Sequence, residues 1–389
     1  MALKKKKIAV VTSTRADYGL LVPLLEGLSK DENIELELLV TGTHLLPEFG
    51  NTIDEILKDG YHVTQRVPIP MLSGSAADLS LTMGTALSEF GKVFRQIHPD
   101  LVVVLGDRYE IMAVAAAAVV STLPVAHISG GEVTEGAFDE MFRHSITKMS
   151  QLHFTSTETY RKRVIQLGEN PERVFNTGAL ALDNIRRQKL LTRDELTKQT
   201  GFVFNQHNIL VTYHPETADS VSPLLRFGEF LEALHSFEQT SIMFTYPNTD
   251  SHGQELIRMI DDYVAQNPGK AWKSASLGML RYLSMVKEVD VMAGNSSSGI
   301  IEAPCLGTPT VNIGDRQKGR IRSAGIIDCA PDKNSIVAAL KKAMSAEFRK
   351  AMGNEKNPYG DGHAADRMKE IIATTDTSGL FAKQFYDLR

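Results

Sequence analysis

The sequence predicts an α/β protein whose sheets are parallel and doubly wound. Three observations carry that expectation. Short apolar runs alternate with amphipathic helical stretches. The apolar runs are continuous rather than alternating, as in strands covered on both faces. The pattern halts once, in a polar stretch, and then begins again. Repeated βα units predict parallel sheets with right-handed crossovers. Two series of them predict two Rossmann-like domains facing a central cleft, since ligands of such sheets bind beyond the carboxyl ends of the strands.

In order, strands are expected at Lys7 to Thr12, Ile34 to Val40, Leu101 to Leu105, Val125 to Ile128 and Leu152 to Thr155. Between them lie helical segments at Tyr18 to Ser29, Ala77 to Ile97 and Glu110 to Val120. The polar stretch Asn184 to Asn208, with a charged helix at Thr192 to Thr200 closed by Gly201, is the best boundary. It divides the chain into residues 1–183 and 184–363. A second series follows at Ile209 to Tyr213, Ser241 to Thr245, Val289 to Ala293 and Thr310 to Ile313. The tail after Ala364 reads as helical and is expected to pack back on the first domain. A chain of 389 residues exceeds the usual reach of one core, in keeping with two domains.

Composition excludes several classes of function. A hydrophobic content of 42% with 23% charged residues is that of an ordinary soluble globular protein. A net charge of −5 gives no reason to expect nucleic acid or an anionic membrane as partner. Lys4 to Lys7 resemble the start of a signal peptide, but the apolar run Ile8 to Val11 is too short to continue one. No run nears the roughly 18 apolar residues of a membrane span. Cys305 and Cys329 have neither metal nor redox spacing. The expectation is a cytoplasmic protein with reduced thiols and no metal.

The chemistry is expected at the strand ends. Gly294-Asn295-Ser296-Ser297-Ser298-Gly299 joins a short apolar strand to a helix start. Glycines permit a tight turn, serines offer hydroxyls, and a helix N-terminus offers N–H groups with a positive dipole end. Phosphate is the ligand this suits, with Glu302 about one turn on and able to accept from ribose hydroxyls. An ordinary Asn or Ser N-cap is the other reading. After the first strand, Arg15 and Asp17 suit an anion and a hydroxylated ligand; alternatively Thr14 or Asp17 caps a helix and Arg15 is solvated. Asp107, in Gly106-Asp107-Arg108, stands beyond a buried strand, either as an ionisable group with a tuned pKa or as an N-cap. His127-Ile128-Ser129-Gly130-Gly131-Glu132 is followed by Asp139, Glu140, Arg143 and His144. Gly130-Gly131 marks backbone freedom or close ligand approach, and Glu132, Asp139 and Glu140 are candidate acids and bases. Pro215 holds His214 extended at the edge of a strand of the second domain.

Together these segments resemble the hydrolysing UDP-N-acetylglucosamine 2-epimerases of bacterial sialic-acid synthesis. The resemblance rests on Thr14 to Tyr18, Val40 to Leu45 with His44, Gly106-Asp107-Arg108, Gly130-Gly131-Glu132 and Arg143 to Lys148. In the second half it rests on His214 to Thr217, Gly294 to Ser298 with Glu302, and Asn312 to Arg320. It implies the glycosyltransferase-B-like architecture, a UDP-sugar substrate, no cofactor, and a bacterial cytoplasmic homodimer or homotetramer. The implied reaction eliminates UDP, passes through a 2-acetamidoglucal and adds water to give N-acetylmannosamine.

Asp107, Glu132, Asp139 and His214 are then the proton-transfer set. Arg15, Asp17, His44, Arg108, Asn248, Ser296, Ser297, Ser298, Glu302 and Arg316 are the substrate-binding set, with Arg15 and Arg316 near the diphosphate. One departure is Ser129, where several relatives carry Glu and others His; a proton-transfer role there would pass to Glu132, Asp139 or water. The segment Pro68 to Ser80 is expected near the sugar. UDP-2,4-diacetamido-2,4,6-trideoxyglucose is the alternative substrate. A non-hydrolysing epimerase, a glycosyltransferase and a silent UDP-sugar sensor are the alternative functions.

Overall fold

The computed structural model describes residues 5–71, 75–134, 138–215, 222–247, 253–353 and 356–388. The chain forms two compact units, Met1–Asn184 with Tyr359–Arg389, and Ile185–Pro358.

The first unit is built on a seven-stranded parallel sheet: β1 (Lys6–Thr12), β2 (Ile34–Thr41), β3 (Val63–Val67), β4 (Leu101–Leu105), β5 (Val125–Ile128), β6 (Leu152–Thr155) and β7 (Val174–Asn176). Their spatial order is β3-β2-β1-β4-β5-β6-β7. The continuous apolar runs have a simple cause. Ile8, Val10, Leu38, Val40, Leu101 and Val103 face one buried cluster, whereas Ala9, Val11, Leu39, Val102 and Val104 face another on the opposite side. Covering both faces removes any demand for polar alternation.

The second unit repeats the plan with β8 (His207–Thr212), β9 (Thr240–Thr245), β10 (Ala271–Ser274), β11 (Val291–Gly294), β12 (Thr310–Ile313) and β13 (Ile326–Cys329), in the order β10-β9-β8-β11-β12-β13. Ile209, Val211, Phe244 and Val291 face one core cluster, and Leu210, Met243 and Met292 another. Each sheet thus has a single topological switch point, between β1 and β4 and between β8 and β11.

The sequence reading missed β3, β7, β10 and β13. All four are sheet-edge strands with mixed burial, which a search for apolar runs passes over.

The C-terminal helix Ala364–Thr374 packs on the helix Arg15–Ser29 of the first unit. Both its ends are capped from the first unit. The Asp183 carboxylate accepts from the N–H groups of Ala364 (3.0 Å) and Ala365 (2.9 Å). The Lys6 ammonium donates to the carbonyls of Ile372, Ala373 and Thr375 at 3.0, 2.8 and 2.6 Å. Anion at the start and cation at the end complement the helix dipole. No helix among the described residues is long and apolar enough to cross a membrane.

Candidate functional site

At the first switch point, the β1 end is a folded-in polar loop. Thr14 caps the helix Arg15–Ser29 in a reciprocal capping box with Asp17. The Asp17 carboxylate accepts from the Ser13 and Thr14 N–H groups, both at 3.0 Å, from the Ser13 hydroxyl at 2.9 Å and from the Thr12 hydroxyl. Burial pushes its pKa up, but bonds from His44, Thr12 and the Ser13 N–H outweigh that and hold it low. His44 is fully buried, with Nε2 at 3.0 Å from the Thr12 hydroxyl and Nδ1 at 2.7 Å from that of Thr52. Arg15 is exposed and pairs with Glu55 at 3.2 Å. The capping reading therefore describes Thr14 and Asp17.

The β4 end is tied to this loop. Glu110, fully buried, accepts from the Ser13 hydroxyl at 2.9 Å and from Arg108 Nε. The cap of the helix Tyr109–Val120 is Arg108, not Asp107. The Asp107 carboxylate is free for another partner, Arg143.

Arg143 lies on the helix Asp139–Met149 and is almost entirely buried. Its guanidinium donates to Asp107, to Glu140, to the Thr134 hydroxyl and, at 2.9 Å, to the Glu132 carbonyl. Glu140 also accepts from the Thr134 N–H at 2.7 Å and lies 3.2 Å from His144 Nε2. Glu132 turns its carboxylate to the Ser156 hydroxyl at 2.8 Å. The Asp139 pKa is raised, first by burial and then by the charge of Asp107. His127 contacts the Gly106 carbonyl at 2.7 Å, and burial drives its pKa down to about 3, so it is neutral.

Two backbone features shape this loop. Ser129 adopts a left-handed conformation, φ 70°, which a non-glycine residue enters only at some cost. Gly131 does so at φ +76°, where a Cβ would lie 2.6 Å from the Tyr160 carbonyl. The glycine is thus required by close packing on the helix Glu158–Gln166. The structure brings Asp107 and Asp139 of the sequence-derived set close enough for their charges to interact, whereas Glu132 reaches Arg143 only through its backbone carbonyl and turns its carboxylate to Ser156. It adds Arg143, whose spacing from Asp139 and Glu140 on one helix face was the available signal, and Glu110, which gave none.

The second switch point has its own set. Gly294 adopts φ +137°, and a Cβ there would sit 2.0 Å from the Thr212 carbonyl. Only glycine lets β11 leave the sheet at this point. Ser296 caps the helix Ser297–Cys305, its hydroxyl accepting from the Ser298 N–H at 3.4 Å. Ser296, Ser297 and Ser298 therefore stand at the helix start, where N–H groups and the dipole favour an anion.

Asn295 is buried and faces β8. It binds the backbone N–H and carbonyl of His214 at 2.7 and 2.9 Å. Its own carbonyl accepts from Arg316 (3.0 Å) and Gln317 (2.8 Å). Burial, with a smaller push from the Arg316 charge, lowers the His214 pKa to about 4. Burial likewise raises that of Glu302, whose carboxylate has Ser298 and the Tyr282 phenol as neighbours. The Tyr282 pKa is itself pushed up to about 12 by burial and the Glu302 charge. Asn248, Glu216 and Thr217 lie outside the described residues, as does the middle of the Pro68 to Ser80 segment. Among the described residues no group of three His, Cys, Asp or Glu side chains could hold a metal ion.

The sequence model of the UDP-N-acetylglucosamine 2-epimerase family matches residues 26–373. The chain is 40% identical over 388 residues to the polysialic acid biosynthesis protein P7 of Escherichia coli, covering 98% of each. It is 39% identical over 387 residues to the GDP/UDP-N,N'-diacetylbacillosamine 2-epimerase (hydrolyzing) of Campylobacter jejuni, covering 99% of this chain and 100% of that one. Among solved structures it resembles the UDP-GlcNAc 2-epimerase of Neisseria meningitidis bound to UDP-GlcNAc. That likeness has a TM-score of 0.81 at 18% identity, with 95% of this chain and 100% of that one covered, and extends to the fold.

Proposed function

The chain belongs to the UDP-N-acetylglucosamine 2-epimerase family and is an enzyme acting on nucleotide sugars; from that premise we propose that it is a hydrolysing 2-epimerase of a UDP-2-acetamido sugar. The observation that carries this reading is the carboxylate group around Arg143, which a protein that only bound a nucleotide sugar would not need. UDP-N-acetylglucosamine is the substrate we favour, with N-acetylmannosamine and UDP as products.

The second unit holds the nucleotide. Ser296, Ser297 and Ser298 at the helix start take the diphosphate, Arg316 adds positive charge, and Glu302 accepts from the ribose hydroxyls. Asn248, outside the described residues, is assigned to this set on the resemblance alone. His214, neutral at physiological pH, donates a hydrogen bond to the diphosphate or sugar. In the first unit, Arg15, Asp17, His44 and Arg108 are the substrate-binding residues that we assign on the family resemblance, Asp17 and His44 by shaping the loop after β1. Positive charge and helix N–H groups stabilise UDP as its charge develops. Departure of UDP makes C2 acidic enough for Asp107, Glu132 or Asp139 to take its proton, giving the 2-acetamidoglucal. Protonation at C2 from the other face and addition of water at C1 complete the reaction. The enzyme works as a homodimer or homotetramer in the bacterial cytoplasm.

A second reading takes the diacetamido sugar as substrate; the name and identity of the Campylobacter relative favour it. Specificity constants for the two UDP-sugars separate the readings, with a large preference for the diacetamido sugar overturning our choice. Turnover in deuterated water tests the mechanism. UDP should be released and one deuterium should appear at C2 of the product, whereas product carrying only protium there would exclude elimination and hydration.

A further inference from the structure

Glu110 is a buried acid that the reaction proposed above does not use. It lies in the first turn of the helix Tyr109–Val120, and its side chain has no exposure to solvent. Two groups among the described residues donate to it, both to Oε1: the Ser13 hydroxyl at 2.9 Å and Arg108 Nε. Oε2 is buried there without a hydrogen-bond partner. The Ser13 hydroxyl has one hydrogen and stands equally close, at 2.9 Å, to the Asp17 carboxylate. Asp17 has the Thr12 hydroxyl and two backbone N–H groups besides. Glu110 has no such reserve. A carboxylate at this depth needs a charged partner, and among the described residues Arg108 is the one it has.

The dependence also runs the other way. The Arg108 side chain is 41% exposed and pairs with no other carboxylate among the described residues. A long side chain on the surface samples many rotamers, and ordering it carries an entropic cost. Here Nε is bound to a carboxylate locked inside the fold, and Cζ lies 5.6 Å from the centre of the Tyr109 ring. The guanidinium is thereby oriented before any ligand arrives. Its Nη edge is left for an anion, and a planar fork suits phosphate or carboxylate oxygens. An acid serving the helix dipole alone could stay in solvent beside the first turn. Glu110 is instead turned inward between the loops after β1 and β4, the two strands that flank the switch point of the first sheet.

We propose that Glu110 is a positioning residue of the nucleotide-sugar site. It ties the loop after β1, through Ser13, to the loop after β4, through Arg108, and so holds the Arg108 fork ready for the anionic part of the substrate. The inference rests on the reading of the chain as a UDP-sugar 2-epimerase. Glu110 does not touch the substrate; its effect on binding passes through Arg108.

Calorimetry with UDP on wild type, Glu110→Gln, Arg108→Met and the double variant closes a thermodynamic cycle. Glu110→Gln keeps the shape and removes the charge that holds Arg108, and it should weaken UDP binding about 5- to 10-fold. Arg108→Met should weaken it about 10- to 100-fold. In the Arg108→Met background, Glu110→Gln should change affinity by less than about twofold, because the two residues act as one unit. Glu110→Asp, which keeps the charge one methylene short, takes its place in the cycle should Glu110→Gln fail to fold. With arginine 15N-labelled, the Arg108 Nε–H signal is assigned by its absence in Arg108→Lys. Without ligand, it should exchange with solvent at least about tenfold faster in Glu110→Gln than in wild type. Equal affinity losses from Glu110→Gln with and without Arg108 would mean a merely structural acid and overturn the proposal. So would wild-type UDP affinity in folded Glu110→Gln, or an unmoved Nε–H exchange rate. Wild type that binds UDP yet releases none from either UDP-sugar would sink the 2-epimerase reading and leave the role of Glu110 standing.

Discussion

Asn295 and His214 clamp each other at the second switch point. The Asn295 side-chain oxygen accepts from the His214 N–H at 2.7 Å, and its amide donates to the His214 carbonyl at 2.9 Å. Asn295 is wholly buried, so both bonds are made out of water and an unmade one costs roughly 1–3 kcal/mol. Asn295→Leu has a similar volume and neither bond. It should lower the melting temperature by several degrees and reduce kcat/KM by about 10- to 100-fold through a wandering His214. Asn295→Asp, which keeps the acceptor only, should fall between. If Asn295→Leu retained wild-type kinetics, Pro215 alone would be enough to hold His214.

Three histidines whose pKa burial lowers, His127, His153 and His214, give the protein an acid-sensitive stability. Burial holds the pKa of His127 down at about 3 and that of His214 at about 4 in the folded state, against the ordinary histidine value of 6.5. Between those limits the unfolded chain binds more protons, so stability rises with pH there. The contribution is fully present above about pH 6.5 and is lost as pH falls toward 4 and then 3. At about 1.4 kcal/mol per pH unit, His127 and His214 each contribute on the order of a few kcal/mol. Urea unfolding should show a marked drop from pH 7 to pH 5, with a shallower slope in His214→Gln. An identical slope in that variant would mean that His214 is readily protonated in the folded protein.

Much of the fold was legible because central strands of a doubly covered sheet can only be apolar. Leu101 to Leu105 and Thr310 to Ile313 could be read off directly. Edge strands such as Val63–Val67 and Ile326–Cys329 are half-exposed and carry no such constraint. The loop chemistry was half legible. Thr14 and Asp17 at the spacing of a capping box announced a helix start, yet the same residues read equally as ligands, because side-chain direction is not a property of spacing. Arg143 was visible as a charge among acids, but its contact with Asp107, thirty-six positions away, depends on the β4–β5 pairing. Glu110 sits where an acidic helix N-terminus is ordinary, and only its complete burial against Ser13 and Arg108 sets it apart.

The C-terminal helix depends on its two caps rather than on the site. Lys6→Met removes three carbonyl contacts at 2.6 to 3.0 Å and should cost about 1–2 kcal/mol. Asp183→Ala leaves two buried N–H groups unpaired and should cost more. Thermal melts should rank Asp183→Ala below Lys6→Met below wild type, with the Michaelis constants of both within about twofold of wild type. A large rise in either Michaelis constant would show that the helix reaches the substrate's binding groups.

Glu302 offers the clearest test of nucleotide placement. Burial raises its pKa, against the opposing effect of the Ser298 hydroxyl, so its charge is lost at a higher pH than that of an ordinary glutamate. Ribose hydroxyls are best accepted by the ionised form. UDP affinity should therefore strengthen as pH rises through that raised pKa and then level off. Tyr282, with its pKa near 12, stays a donor throughout and contributes no pH dependence of its own. Glu302→Gln keeps an acceptor oxygen without the titration and should give weaker, pH-independent binding. Glu302→Ala should raise the Michaelis constant by at least about tenfold and change turnover by less than about threefold, the signature of lost uniform binding. Calorimetry with UDP across pH 5 to 8 reads all three proteins. Equal affinity in wild type and Glu302→Ala would remove the ribose from this carboxylate and leave the serine-rich helix start as the nucleotide anchor.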